Sequence, residues 1–508
     1  MKLKTRFYLP TVALLVALVL PLLVSAAGSP GFLTPEAPYI TLDPGVPAGS
    51  SLTAIISTGE SVDGVLFEGI PDGLGLAPGP MAGTVDVYVN HEQSTVPFQN
   101  TADFQDASVT RWTLNVDTAG VLDGSVAISA DNGYLRFCSA FMAGPEQGFS
   151  KYTFFTGEET NDIVNVPSAA PYGPDPALDP QRQGGYAVVL DTETGAFTQV
   201  AGMGRLNHEN TVVIPGGWNQ IATLSGDDTF SAPSSQLYLY LANHESHIWE
   251  DKGSLWAFRV TRTEAGPVDP TNPFNNANDY LDIQPGGNWQ GEFIRVPKEI
   301  AQGLTDMAPQ DALEQWSNEN NVFQFIRLED IAYNRDNPRV VYVADTGSTR
   351  IVPDPTTGRM MRGPSGTVGF ADNGRIFKFV MNDKNPRKVD SFSVFADGDA
   401  PGSPEYVAFT SPDNLGTSTN SLMVQEDTSN AVIWRYDFTS GNWSIVASVN
   451  DPAGESSGIV NASDWFGPGA WLLDVQGHGR YVNEELQPNG VLLKRESGQL
   501  MLMVLPGS

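Results

Sequence analysis

Apolar positions along this chain fall into short alternating runs bounded by Gly, Asp, Asn and Pro, the signature of half-buried strands. Examples are 85–89 (VDVYV), 237–241 (LYLYL) and 340–343 (VVYV). The runs recur in pairs: LYLYLANHES precedes SLWAFRV, VVYVADTGS precedes RIFKFVM, and LMVQEDTSN precedes VIWRYDF. One strand-turn-strand phrase repeated over such a length predicts an all-β fold, and a β-propeller in preference to a single sandwich. Helical spacing is confined to 297–316, where Ile300, Leu304, Leu313 and Trp316 form an apolar stripe interrupted by Pro309. A few short helices are therefore expected.

Residues 166–185, 264–292 and 353–366 are rich in Pro, Asn and Gly and read as long loop insertions. The strand phrase resumes unchanged on either side, so residues 28–508 are predicted to form one propeller domain. Residues 1–27 differ. Lys2, Lys4 and Arg6 precede an apolar run from Val12 to Val24, which exits through Ser25, Ala26 and Ala27. That run is short of the roughly 20 residues a membrane span requires. It predicts a signal peptide cleaved near Ala26 or Ala27, and a secreted or periplasmic protein free of the membrane afterwards.

Composition narrows the function. Across 508 residues, 28 Lys+Arg stand against 59 Asp+Glu, a formal charge of −31, which disfavours nucleic acid and anionic bilayers as partners. The single cysteine, Cys138, rules out an internal disulfide.

The acids follow the strands. Asn90-His91-Glu92, Glu158-Glu159, Asn243-His244-Glu245, Asp345, Glu426-Asp427 and Asp474 each come directly after an apolar run, and Asn207-His208-Glu209 follows Arg205. In a propeller, the innermost strand of each blade lines a central channel and equivalent strand ends meet around one mouth of it; with the apolar runs as those inner strands, these carboxylates are expected to converge there. Close carboxylates raise one another's pKa unless cations intervene, and clustered oxygen ligands suit calcium or magnesium, as well as iron or manganese. Each Asn-His-Glu triplet reads either as a hydrogen-bonded strand cap or as part of that site. Arg327 and Glu329 lie on one side of an extended segment. The pair reads either as a salt-bridged strand end or as an anion grip beside a metal-holding carboxylate. Pro412-Asp413-Asn414-Leu415, ahead of Gln425-Glu426-Asp427, offers further oxygens or simple turn formers.

Taken together, GRLNHE (204–209), RLEDIA (327–332), SPDNL (411–415), VQED (424–427) and WLLDVQGH (471–478) resemble the PhoX family of secreted alkaline phosphatases. The resemblance implies a six-bladed propeller with an axial site of calcium and iron that hydrolyses phosphate monoesters, its substrate a small phosphate ester; a monomer is expected. It implies Glu209 and Glu329 as iron-binding glutamates and Arg327 as the catalytic, phosphate-gripping arginine. It places Glu158 and Glu159 in a paired-glutamate metal motif, and Asn414, Glu426, Asp427 and Asp474 in segments that ligate calcium. One position departs from the family pattern: Gly157 stands where a bridging cysteine is expected, which favours an all-oxygen calcium site over iron. Cys138 then reads as an inert core thiol or as a ligand arriving from a neighbouring strand. The alternative function is a non-catalytic, calcium-stabilised propeller that binds a partner or a polysaccharide. A calcium-dependent propeller acting on a lactone or phytate is a third.

Overall fold

A computed structural model describes residues 29–96, 101–163, 183–229, 233–269, 278–450 and 454–508. The expected signal segment, most of 166–185 and part of 264–292 lie outside them. Antiparallel sheets form six blades around an axis. Their innermost strands are Pro71–Pro78, Phe137–Ala143, His208–Val213, Leu328–Tyr333, Pro412–Thr417 and Glu455–Asn461, and each touches the next around the ring. The N-terminal segment closes the circle: Ser51–Ser57 is the outer strand of the last blade, against Leu492–Val504, and Ile40–Leu42 edges the fifth blade. Between the third and fourth blades, Trp289–Arg295 pairs with both outer strands and fuses the two into one sheet. Phe258, Phe323, Phe377, Phe379 and Phe392 pack beneath it with ring centroids 4.6–6.1 Å apart.

The predicted helical stretch splits in two, Lys298–Ala301 and Pro309–Glu319. Pro309 starts the second helix, since the first turn needs no amide from it. No helix among the described residues is long and apolar enough to cross a membrane. Within 353–366 the chain forms a small hairpin, Ile351–Pro353 with Met360–Arg362.

One expectation is corrected. The apolar runs that precede the acids are not the channel-lining strands. Thr84–His91, Thr153–Glu158, Val340–Asp345 and Ser421–Glu426 are second strands, and Leu237–Ala242 is a third strand. Strand direction alternates within a blade, so Asn243-His244-Glu245 ends up at the opposite rim, where Glu245 binds Ser150 at the surface.

A candidate metal centre on the propeller axis

Every innermost strand carries a β-bulge near its start. The register jumps between Pro71 and Leu74, Phe137 and Ala140, His208 and Thr211, Leu328 and Ile331, Pro412 and Leu415, and Ser457 and Ile459. A bulge leaves residues unpaired and re-aims their side chains. In five blades the first of these residues is Asp72, Cys138, Glu209, Glu329 or Asp413, and in the sixth the bulge holds Gly458. The preceding residues Ile70, Arg136 and Ser411 adopt φ of 48–49°, a conformation uncommon for residues with side chains.

Second strands contribute from the other side. In five blades the residue after the strand end donates its amide to the residue just ahead of the bulge: Glu92 to Ile70, Glu159 to Arg136, Asp228 to Asn207, Thr346 to Arg327 and Asp427 to Ser411. The strand-end residue itself reaches back to the backbone leading into the bulge. Glu158 accepts from the amides of Leu135, Gly185 and Tyr186, and Asp345 from those of Ile326, Arg327 and Gly347. Glu426 accepts from Thr410, Val432 and the Trp434 indole. His91 does the equivalent with a ring nitrogen on the Gly69 carbonyl, 3.3 Å away. Helix Pro309–Glu319 supports the third blade, where Gln310 accepts from Asn207 N and donates to Asp227 at 2.9 Å.

The result is a run of three groups, Asp72/Glu92/Cys138, Cys138/Glu159/Glu209 and Glu209/Glu329/Asp413, in each of which the ligand-type atoms lie within 4.8 Å of one another. Cys138 links the first two and Glu209 the last two. Cys138 Sγ donates to Asp72 Oδ2 at 3.2 Å, and Ser139 Oγ donates to Glu209 Oε1 at 2.7 Å. Asn414 stands behind, donating to Ser139 Oγ at 3.0 Å and accepting from Ser457 Oγ at 3.1 Å. Asp427 is close to Glu455 and also acts on Asp413, adding to burial in raising both carboxyls. Arg327 covers the site with its side chain 27% exposed. It grips Asp228 with Nε–Oδ1 at 2.8 Å and Nη2–Oδ2 at 2.5 Å, and Glu329 lies 3.4 Å from Nη2.

Burial outweighs the guanidinium of Arg327 in the electrostatics. It raises Asp72 to about 6 and Glu92 to about 8, the latter also repelled by Asp72. Glu159, Glu209, Glu329 and Asp413 are pushed well above the carboxylate range, first by burial and then by one another and by Asp228. Burial, then Asp72, likewise raises the Cys138 thiol. Asp72 Oδ1, Glu209 Oε2 and both oxygens of Asp474 are buried without a hydrogen-bond partner. Orphaned buried carboxylate oxygens beside a thiol are a donor set that fits cations. His91 and His208, by contrast, are lowered to about 4 by burial and act as neutral caps.

The structure thus gathers Glu159, Glu209 and Glu329 under Arg327, with Asn414, Asp427 and Asp474 at the margins. It does not bring Glu158 or Glu426 to the axis, because their oxygens are taken by backbone amides. Cys138 occupies the centre, and Gly157 faces elsewhere: a Cβ there would lie 2.4 Å from His208 Cβ, leaving no room for a side chain. Glu92 and Asp413, named in the sequence only as a strand-end acid and a turn-like oxygen, join the axial groups, and Asp72 and Asp228 join them without having been singled out. The signal for Asp72 and Asp413 is the bulge phrase itself, an acid followed by Gly or Asn at the head of an inner strand, and for Glu92 and Asp228 it is an acid directly after a second strand.

Comparisons with known proteins agree with this architecture. The family model for alkaline phosphatase PhoX matches residues 151–458. Pseudomonas fluorescens PhoX in complex with vanadate, a transition state analogue, is similar at 16% identity and a TM-score of 0.63, over 94% of this chain and 98% of that one. The α-L-arabinofuranosidase of Fusarium graminearum is more remote, at 10% identity and a TM-score of 0.39 over 85% of this chain and 92% of its own. No curated protein sequence matches the chain.

Proposed function

This chain belongs to the alkaline phosphatase PhoX family, and we propose that it hydrolyses small phosphate monoesters at the axial site, outside the cytoplasm and as a monomer. The observation that carries the reading is the linked run of three acid and thiol groups directly beneath a half-buried arginine.

The residues that would hold cations are Asp72, Glu92, Cys138, Glu159, Glu209, Glu329 and Asp413. Oxygen ligands favour calcium, and the central thiol adds a donor that iron accepts. Bound there, such ions supply Lewis-acid polarisation of the phosphoryl oxygens and neutralise developing charge. Arg327 presents a planar fork of donors to the phosphoryl oxygens, which it holds in line and stabilises as charge builds on them. Asp228 fixes that fork by its bidentate contact, so the guanidinium is preorganised before substrate arrives. Ser139 and Asn414 orient Glu209 through a donated hydrogen bond at each step. Export is supported by the basic start and apolar run of residues 1–27.

Cys138 standing among the axial acids supports the catalytic reading over the non-catalytic, calcium-stabilised propeller. Phosphate release from p-nitrophenyl phosphate, measured on chelator-stripped protein resupplied with calcium, with and without iron, tests the proposal. Turnover restored by metal and lost on chelation is expected; silence under every metal condition overturns it.

A further inference from the structure

The residues that follow the second strands form a ring of acids with one exception. Glu92, Glu159, Asp228 and Asp427 each donate their amide to the residue just ahead of a bulge. Each also brings its carboxylate to the axial site: Glu92 and Glu159 in the metal groups, Asp228 on Arg327, and Asp427 acting on Asp413. In the fourth blade the same position is Thr346. Its amide donates to the Arg327 carbonyl at 3.0 Å, so it sits beside the arginine that covers the site.

The preceding residue fixes the direction of its side chain. Asp345 turns to the backbone, accepting from the amides of Ile326, Arg327 and Gly347, as Glu158 does beside Glu159. Alternation along an extended chain then turns Thr346 the other way, towards the axis. There its side chain is only 3% exposed and its hydroxyl has no hydrogen-bond partner. A buried polar group left unpaired is costly, and a partner arriving from outside the chain accounts for it. The chemistry indicates which partner. A carboxylate can only accept, whereas a hydroxyl also donates. An acid in this place would repel a phosphoryl group and compete with it for Arg327; a neutral donor does neither.

We propose that Thr346 is a phosphate-binding residue of the axial site, its Oγ1 donating to a phosphoryl oxygen of the substrate beside Arg327. The exception in the ring of acids is then the place where the substrate, and not a cation, meets the second strands. The inference rests on the phosphatase reading and deepens it.

The test compares Thr346→Val and Thr346→Ser with the parent, each as the full metal-loaded protein. It reads kcat/KM for p-nitrophenyl phosphate, inhibition by inorganic phosphate, bound metal and the melting temperature. Thr346→Val keeps the shape of the side chain and removes an unpaired hydroxyl, so it should fold with its metal retained and its melting temperature equal or higher. Its kcat/KM should fall about tenfold or more, the loss of one hydrogen bond to a charged group. Inhibition by phosphate should weaken by a similar factor, and Thr346→Ser should recover most of both. Unchanged kinetics in folded Thr346→Val overturn the assignment and leave the phosphatase reading intact. So does a loss of bound metal, which makes the hydroxyl a metal ligand, or a failure to fold, which makes it a structural prop. A parent that releases no phosphate under any metal condition overturns both.

Discussion

Glu158 and Glu159 are neighbours in sequence with opposite tasks: Glu158 accepts three backbone amides at 2.9–3.1 Å, while Glu159 stands within 4.8 Å of Cys138 and Glu209 at the axis. Alternation along an extended chain turns the two side chains apart. One carboxylate builds the loop that aims the bulge, and the other joins the groups the bulge aims.

Substitution separates those tasks. Glu158→Gln removes a charged acceptor from buried amides and should lower stability by about 2–3 kcal/mol with the bound-metal count retained. Glu159→Gln should lower bound metal and turnover with little loss of stability, because burial already disfavours the charged carboxylate in the metal-free chain and the neutral amide keeps its size. Denaturant unfolding and metal quantification on both variants check the contrast.

Arg327→Ala should reduce kcat by about 10²–10³-fold, the scale for removing a transition-state charge donor. Arg327→Lys should recover only part of this, since an ammonium cannot grip Asp228 and a phosphoryl group as a fork does. Steady-state kinetics with p-nitrophenyl phosphate provide the measurement.

Cys138→Ser keeps the size of the side chain and removes the soft donor. It should lower bound iron below that of the parent while calcium is retained, as read by elemental analysis of the natively purified protein. Gly157→Ala, by contrast, should leave metal content unchanged and cost about 1–3 kcal/mol, because its new methyl group collides with His208.

Without metal, the acids make stability depend on pH. Asp72 titrates at about 6 and Glu92 at about 8 in the folded chain, because burial disfavours their charged forms. Unfolded, both titrate at about 4. The folded state therefore holds more protons across that interval, and stability falls as pH rises from about 4 to about 8. Bound cations favour the ionised forms and should remove or reverse the slope. Melting temperatures measured against pH, in chelator and in calcium, read the difference directly.

Much of this was legible in the sequence, and the failures share a cause. The alternating runs identified strands, and their repetition identified blades, because a period of two survives in any half-buried strand. Which strand of a blade faces the axis was misread. Inner strands that open with PDGL, FCSA and PDNL carry small and polar residues where they bulge, so they lack the apolar signature that marks LYLYL, a third strand. Glu209, Glu329 and Arg327 drew notice because they lie in longer distinctive phrases. Asp72, Asp228 and Asp413 stand in turn-like contexts, where an acid reads as a turn former until the bulge register is known. Of each acidic pair, sequence shows two equivalent carboxylates, and only the backbone amides facing Glu158 and Glu426 tell the partners apart.

The central claim is that bulged inner strands and second-strand ends jointly cage cations on the axis. An anomalous-difference electron-density map from crystals of the natively purified protein tests it most directly. The account predicts peaks enclosed by Asp72, Cys138, Glu209 and Glu329, beneath Arg327. Peaks confined to the outer rim, or none in protein that releases phosphate, would contradict it.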